Sequence, residues 1–215
     1  PTEIIDLPSK GVPYPEDNPL SSGKIEMKYM TAKEEDILTT QSYITQGVVL
    51  DKLFKALIVS NGEGEAVKYN DLLLGDKNAV MIAARVLGYG KEYIVSIPDP
   101  FNSQEPQEEK IILTDLKDKP LHEVIKKYPN QNNFEFELPV SKKKISFKLM
   151  NHGMEKKVEY QMKDIKKKQK KTKDETDRTM STRLKLMIQS VDGEESRKEI
   201  DKFVDEHMLA LDSRA

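Results

Sequence analysis

Three histidines, His122, His152 and His207, are the residues best suited to acid–base or metal chemistry in this chain of 215 residues, which contains no cysteine. His122-Glu123 starts no zinc-protease motif, because a lysine stands where the second histidine would be needed. His152 is expected in a loop and His207 on the apolar stripe of a helix. Their spacing predicts no metal site, and without cysteine there is no disulfide and no thiolate nucleophile.

Phosphate-binding and hydrolase motifs are also missing from the sequence. The glycine clusters, Gly88-Tyr89-Gly90 and Asn61-Gly62-Glu63-Gly64, are not followed by Lys-Ser/Thr and do not form a dinucleotide fingerprint. No Gly-x-Ser-x-Gly elbow occurs. We therefore expect a protein without catalytic residues, bound metal or cofactor, which is not an enzyme.

Lysine dominates residues 163–173, where it occupies seven of eleven positions. The lysines that could contact phosphates or an acidic partner are Lys166, Lys167, Lys168, Lys170 and Lys171. The run contains no aromatic side chain for base stacking and no arginine for bidentate base contacts. A mobile, solvated connector is the favoured interpretation, and a nucleic-acid-associated accessory protein is the alternative.

The composition agrees with one larger domain plus an appendage. Charged residues make up 33% of the chain and hydrophobic residues 37%, so part of the chain is expected to be solvated helix or disordered. The 35 basic and 37 acidic residues give a net charge of -2, which does not favour nucleic acid as the principal partner. No stretch reaches the length of apolar sequence that a membrane span requires.

The elements that must position these residues follow from periodicity. Proline makes the first 23 residues an extended arm or loop, and Thr31 and Glu34 form a capping box at the start of the first helix. Further helices are predicted at 49–58 and from Asp76 to Gly88. Strands are predicted at 24–30, 93–97, 110–113, 134–138 and 145–149. In the predicted core, the side chains that pack together are Leu53, Phe54, Leu57, Ile82, Ala83 and Val86.

Two amphipathic helices are predicted beyond residue 176, joined by a turn at Asp192-Gly193. The apolar stripe proposed to bind a partner is Ile200, Phe203, Val204, Met208 and Leu211, with Phe203 as the anchor. The alternative, that this hairpin folds back on its own body, is equally supported. The predicted fold class is α+β, with an N-terminal extended arm, a three-helix segment with a small, mainly antiparallel sheet, and a C-terminal αα-hairpin. The predicted domains are a body at 1–155, a lysine-rich connector at 156–175 and the hairpin at 176–215.

Several segments, taken in order, resemble a known family. They are Leu7-Pro8-Ser9-Lys10-Gly11 with Tyr14-Pro15, the block Met30-Thr31-Ala32-Lys33-Glu34-Glu35-Asp36-Ile37-Leu38, the block Asp71-Leu72-Leu73-Leu74-Gly75-Asp76-Lys77, Ala83-Ala84-Arg85, Tyr89-Gly90-Lys91-Glu92-Tyr93, and the hairpin with Glu137-Leu138-Pro139 and Phe147-Lys148-Leu149. This pattern is similar to that of the baseplate hub proteins of T-even phages, and it covers roughly residues 5–155.

The resemblance implies a structural or assembly protein, chaperone-like in action, of a contractile phage tail. Its expected partners are other tail proteins, such as hub or tape-measure components, and self-association is left open. The expected location is the host cell cytoplasm during assembly, or the baseplate of the virion. Members of the family often carry a Cys-x-x-Cys pair after the strand at 93–97, but the corresponding segment here, Ile97-Pro98-Asp99-Pro100-Phe101, has no cysteine, so no zinc ribbon is expected.

Overall fold

A computed structural model of the chain describes residues 1–98, 106–172 and 174–215. The fold is α+β, as predicted, with small antiparallel sheets. The chain divides into two compact units. The first contains residues 1–12, 16–69 and 75–122, and the second contains residues 13–15, 70–74 and 123–215.

This division differs from the predicted body, connector and hairpin, because residues 123–155 group with the C-terminal part of the chain. Over the described ranges, no helix is both long enough and apolar enough to cross a membrane.

The first unit contains most of the predicted helices. Its elements in chain order are β1 (Thr2–Asp6), β2 (Lys24–Lys28), α1 (Ala32–Thr39), α2 (Gln41–Gln46), α3 (Val49–Leu57), β3 (Ile58–Ser60), α4 (Leu74–Tyr89), β4 (Glu92–Ile97) and β5 (Gln107–Ile112). The first residue of α4 belongs to the second unit. The strands form a sheet in the order β1-β2-β3 and a separate ribbon of β4 and β5. The loop predicted between β4 and β5 lies mostly outside the described residues.

Two strands of this unit were not predicted. β1 lies within the segment expected to be an extended arm or loop, and it pairs antiparallel with β2, with Ile5 opposite Ile25. β3 begins at Ile58, which the periodicity placed at the end of a helix, and Ile58 pairs with Met27 of β2. Backbone pairing with a neighbouring strand therefore determines the conformation of both segments.

The buried face of α4 differs from the predicted one. Val80, Ala83 and Ala84 are buried, whereas Ile82 and Val86 are only partly buried. Asp76 lies one turn before Val80 on the buried face, and it is 1% exposed. The prediction placed Ile82 and Val86 in the core because this helix is apolar nearly all round, so its pattern does not single out one face.

The second unit is built around a three-stranded sheet. Its elements in chain order are α5 (Glu123–Lys127), β6 (Phe134–Glu137), β7 (Lys144–Phe147), α6 (His152–Thr172), α7 (Thr179–Met187), β8 (Ile188–Val191) and α8 (Arg197–Lys202), which continues into a π-helical turn (Phe203–His207). The sheet order is β6-β7-β8, and both pairings are antiparallel.

The C-terminal part of this unit corrects two expectations. The described part of the predicted connector, residues 156–172, belongs to the continuous helix α6. The two predicted C-terminal helices are present but do not form a simple αα-hairpin, because β8 lies between them and pairs with β7. Residues 188–191 are Ile, Gln, Ser and Val, a stretch that is too short and too irregular to distinguish a strand from a helical turn.

Replacing Leu53 with Ala should destabilise the first unit. Leu53 lies on the buried face of α3 and is 3% exposed, so its truncation leaves a cavity. We expect a loss of about 2–5 kcal/mol in the free energy of unfolding, measured by urea denaturation. Leu50→Ala, on the same helix at a position 46% exposed, is the matched control and should change the free energy little. Equal losses for the two variants would contradict this assignment of the buried face.

The ion pair at the start of α1 should make folding sensitive to acid. The carboxylate of Glu34 is buried and accepts hydrogen bonds from the Lys28 ammonium at 2.8 Å and from the Thr31 hydroxyl and N–H at 2.6 and 3.0 Å. These bonds, that from Lys28 foremost, lower the pKa of Glu34 from 4.5 to about 2. Because the folded-state pKa is the lower one, this stabilisation is complete above about pH 4.5 and is lost as the pH falls towards 2.

Glu34→Gln should abolish that component of the acid dependence and reduce the free energy of unfolding at neutral pH by about 1–3 kcal/mol. Urea denaturation at a series of pH values between 7 and about 2 measures both effects. Glu35→Gln, an exposed position on the same helix turn, is the control. Parallel pH profiles for wild type and Glu34→Gln would show that the buried pair does not cause the acid sensitivity.

Candidate interaction surfaces

Three motif residues of the N-terminal arm, Leu7, Ser9 and Gly11, are buried in the first unit. The Ser9 backbone N–H and hydroxyl donate to the two carboxylate oxygens of Asp76 at 3.0 and 2.7 Å. Ser9 and Asp76 are 6% and 1% exposed and lie 67 positions apart in the chain. The helix α4 was predicted to start at Asp76, but it starts two residues earlier, and the Asp76 carboxylate binds the arm.

Two glycines allow this arm to close on itself. Gly11 and Gly23 have φ angles of 77° and 69°, in the region that disfavours other residues. A Cβ at Gly11 would lie 2.2 Å from the Ser21 carbonyl oxygen, and one at Gly23 would lie 2.6 Å from the Lys10 backbone. Within the second unit, Tyr14 is 3% exposed and its hydroxyl accepts a hydrogen bond from the Leu73 N–H at 2.9 Å. The motif residues Ser9, Gly11 and Tyr14 are therefore buried within the fold and are not available to a ligand.

The predicted partner-binding stripe is largely buried in the second unit. Ile200, Phe203 and Val204 are 0%, 6% and 9% exposed and pack in one cluster, whose other buried members are Leu138, Ile145 and Ile188. Met208 packs at its margin. Only Leu211, at 69% exposed, remains at the surface. The segment thus folds back on its own sheet, which is the alternative that the sequence left open, and these buried side chains cannot contact a partner in this fold.

The carboxylate of Asp212 fastens the end of this segment to the turn between β6 and β7. It accepts hydrogen bonds from the backbone N–H groups of Val140 and Ser141 at 2.8 and 3.1 Å. Asp212 is 2% exposed, so a bare carboxylate there would be strongly disfavoured without these donors. This contact and the packing of Phe203 make the C-terminal segment an integral part of the second unit.

The three histidines belong to different segments of the chain, His122 to the first unit and the other two to the second. His152 is not in a loop, since it starts α6, is 1% exposed, and donates its backbone N–H to the Leu72 carbonyl oxygen at 2.8 Å. His122 and His207 are exposed, and His207 lies 4.0 Å from Glu206. Among the described residues, no group of three His, Asp or Glu side chains is arranged to hold a metal ion.

Helix α6 has one buried and one charged face. Val158 and Met162 are buried with Met150, and the partly buried side chains of Ile165 and Met187 pack against them. The candidate phosphate-contacting residues Lys166, Lys167, Lys168, Lys170 and Lys171 are all exposed. The helix therefore holds an ordered surface of lysines instead of a mobile connector.

The β4–β5 ribbon exposes several apolar side chains of the first unit. Its strands pair antiparallel from Glu92 opposite Ile112 to Ile97 opposite Gln107. Among the described residues, neither strand pairs with a third, so both outer edges are open. The exposed fractions are 64% for Ile94, 44% for Tyr93 and Ile97, and 37% for Ile111. Ile94 lies on the opposite face from the other three.

Arg85 holds the base of this ribbon to the end of α4. Its guanidinium donates to the carbonyl oxygens of Gly90 and Glu92 at 3.1 and 3.3 Å. It also lies 5.1 Å and 5.6 Å from the ring centroids of Tyr89 and Tyr93, which are cation–π distances. Lys110 pairs with Glu92 across the ribbon at 2.7 Å. These contacts position a ribbon that would be marginally stable by itself.

Sequence reasoning predicted both strands but did not identify the ribbon as a surface. Tyr93, Val95 and Ile97 alternate with Ile94 and Ser96, so β4 has apolar residues on both faces, which usually indicates burial. Both faces would be covered if other elements packed above and below the strand, but the structure leaves Ile94 exposed on one face and Tyr93 and Ile97 exposed on the other. No protein-family model, curated protein or solved structure matches this chain significantly.

The buried position of Phe203 leads to a direct prediction. Phe203→Ala should reduce the free energy of unfolding of the second unit by about 3–5 kcal/mol, because it leaves a cavity beneath the sheet. Leu211→Ala, at a position 69% exposed in the same segment, should change it by less than about 0.5 kcal/mol. Thermal and urea denaturation measure both. A stable Phe203→Ala variant would mean that this segment does not belong to the core.

Proposed function

We propose that this chain is a non-enzymatic structural or assembly protein of a contractile phage tail, acting at the central baseplate hub through contacts with other proteins. The proposal is supported by the ordered set of motifs that resembles the baseplate hub proteins of T-even phages. Its proposed partners are other tail proteins, and hub and tape-measure components are the first candidates. Its proposed place of action is the host cell cytoplasm during assembly, or the baseplate of the virion.

The observation that carries the proposal is the β4–β5 ribbon. A ribbon with apolar side chains on both faces and open edges can accept an extended segment of another chain through backbone hydrogen bonds. The same arrangement is unfavourable in water, because exposed apolar area and unpaired strand edges promote association. A partner that covers Ile94 on one face, or Tyr93 and Ile97 on the other, would remove that cost.

The experiment is affinity purification of the tagged chain from infected cells, with the co-purifying proteins identified by mass spectrometry. Recovery of hub or tape-measure components supports the proposal. Recovery of metabolic enzymes or nucleic acid alone, without tail proteins, overturns it.

The ribbon can be tested in the same experiment with Ile94→Glu. The new carboxylate lies opposite Lys110 in the register, so the ribbon itself should be retained while its apolar surface is lost. We expect recovery of the tail proteins to fall about tenfold or more, as for loss of a central interface residue. The matched control is Ile44→Glu, because Ile44 is exposed to a similar extent, 47%, on α2 of the same unit.

Both variants should keep the thermal stability of the wild-type protein, because both positions are exposed. Equal recovery from Ile94→Glu and Ile44→Glu would place the partner contact elsewhere on the chain.

A further inference from the structure

A row of basic side chains runs along the exposed face of α6, with one aromatic side chain among them. Lys156, Tyr160, Lys163, Lys167 and Lys171 follow one another at spacings of four, three, four and four residues, so they share one face of the helix. We call this set the basic row. At 1.5 Å per residue it extends about 23 Å. Tyr160 is 69% exposed.

The basic row is held in place before any ligand binds. Its helix is anchored on the opposite side by Val158 and Met162, which are 3% and 7% exposed. The Thr182 hydroxyl of α7 also lies 3.6 Å from the sulfur of Met162. Because the helix backbone is fixed by this packing, binding would require ordering only the lysine side chains.

Among the described residues, most of the lysines of this helix make no ion pair. Residues 152–172 contain eight lysines and three acidic residues. Lys156 pairs with Glu159 at 3.0 Å, and Lys167 lies 4.0 Å from Asp164. Within the described part of the chain, Lys163 and Lys171 make no ion pair. Like charges spaced four residues apart destabilise a helix by about 0.2–0.5 kcal/mol per pair, so this row lowers the stability of its own helix.

The acidic residues in the turn that follows α6 do not neutralise the positive charge of the basic row. Asp174 accepts hydrogen bonds from the Thr176 N–H at 2.9 Å and the Arg178 guanidinium at 3.0 Å. Asp177 accepts from the Thr179 hydroxyl at 2.6 Å. These carboxylates organise the turn that leads into α7, and the row keeps its positive charge.

The composition of the row indicates the chemistry of its ligand. Protein interfaces have apolar centres and are depleted in lysine, whereas Tyr160 is the one uncharged side chain in this row. Repeated lysines match the dense, regular negative charge of a phosphate backbone. An exposed aromatic ring among them can stack on an unpaired base, which a duplex does not offer. Lysine lacks the planar, bidentate donors that read base edges.

From these observations we propose that the basic row of α6 binds the phosphate backbone of single-stranded nucleic acid without sequence preference, with Tyr160 stacking on a base. The absence of aromatic residues within 163–173 argued against such a site at the level of sequence. The helix removes that objection, because it places Tyr160 one turn before Lys163 on the same face. This activity is independent of the proposed role in tail assembly.

The test measures binding of the full chain to a fluorescent 20-nucleotide oligo(dT) by anisotropy, at salt concentrations from 50 to 200 mM. We expect a dissociation constant of roughly 1–100 μM near physiological salt, with affinity falling steeply as salt rises. The row variant Lys163→Gln/Lys167→Gln/Lys171→Gln should weaken binding between about tenfold and a hundredfold and reduce the salt slope by about 2. Tyr160→Ala should weaken binding about fivefold or more, and Tyr160→Phe should not.

Two control variants distinguish a specific effect of the basic row from a general effect of the protein's charge. Lys117→Gln/Lys119→Gln/Lys198→Gln removes the same charge from exposed positions elsewhere and should leave binding nearly unchanged. Lys163→Arg/Lys167→Arg/Lys171→Arg keeps the charge and should bind as the wild type does. Circular dichroism and thermal denaturation check that every variant is folded, which is expected because these side chains are exposed.

Several outcomes would overturn the proposal. One is the absence of binding to oligo(dT) at 50 mM salt. Another is that the row variant and its charge-matched control weaken binding equally. A 20-residue poly-glutamate peptide that competes as well as unlabelled oligo(dT) would identify an acidic protein as the ligand instead. Unchanged affinity in Tyr160→Ala, or tighter binding to duplex than to single strand, would contradict the single-strand assignment.

Discussion

The hydrogen bonds between Ser9 and Asp76 set the architecture of the first unit. A carboxylate 1% exposed is costly unless its oxygens are satisfied, and the Ser9 N–H and hydroxyl satisfy one oxygen each. Asp76 lies near the start of α4, the longest helix of this unit, so these bonds tie the N-terminal arm to that helix. The arm can approach because Gly11 and Gly23 have no side chain where backbone passes close to backbone.

Contacts of this kind explain the structural role of several segments that the sequence analysis singled out. Ser9 and Gly11 belong to the first of them and Asp76 to another, while Thr31 and Glu34 start α1 together with Lys28. Each of these residues forms a contact within the first unit that a different side chain would lose. These segments therefore contribute contacts to the fold of the first unit, whereas the candidate interaction surfaces also include side chains outside them, such as Ile94 and Tyr160.

Much of the local structure followed from the sequence, and the failures have physical causes. The capping box at Thr31, the amphipathic α3 and the β6–β7 hairpin each depend on neighbours a few positions apart, so a linear pattern contains the information. β1, β3 and β8 depend on pairing with distant strands, which no local pattern specifies. For the same reason the prediction of Phe203 as a partner anchor is wrong, because an apolar stripe in the sequence does not show whether the residues that cover it belong to the same chain or to another.

The two candidate surfaces differ in how far they are organised before binding. The basic row lies on a helix fixed by Val158 and Met162, so its affinity should depend mainly on charge and salt. The β4–β5 ribbon has no third strand among the described residues and is held at its base by Arg85. Two strands alone are marginally stable, so a partner that adds a strand would complete both the sheet and the interface. Binding of such a partner would be coupled to folding of the ribbon, and its affinity would depend on buried apolar area more than on salt.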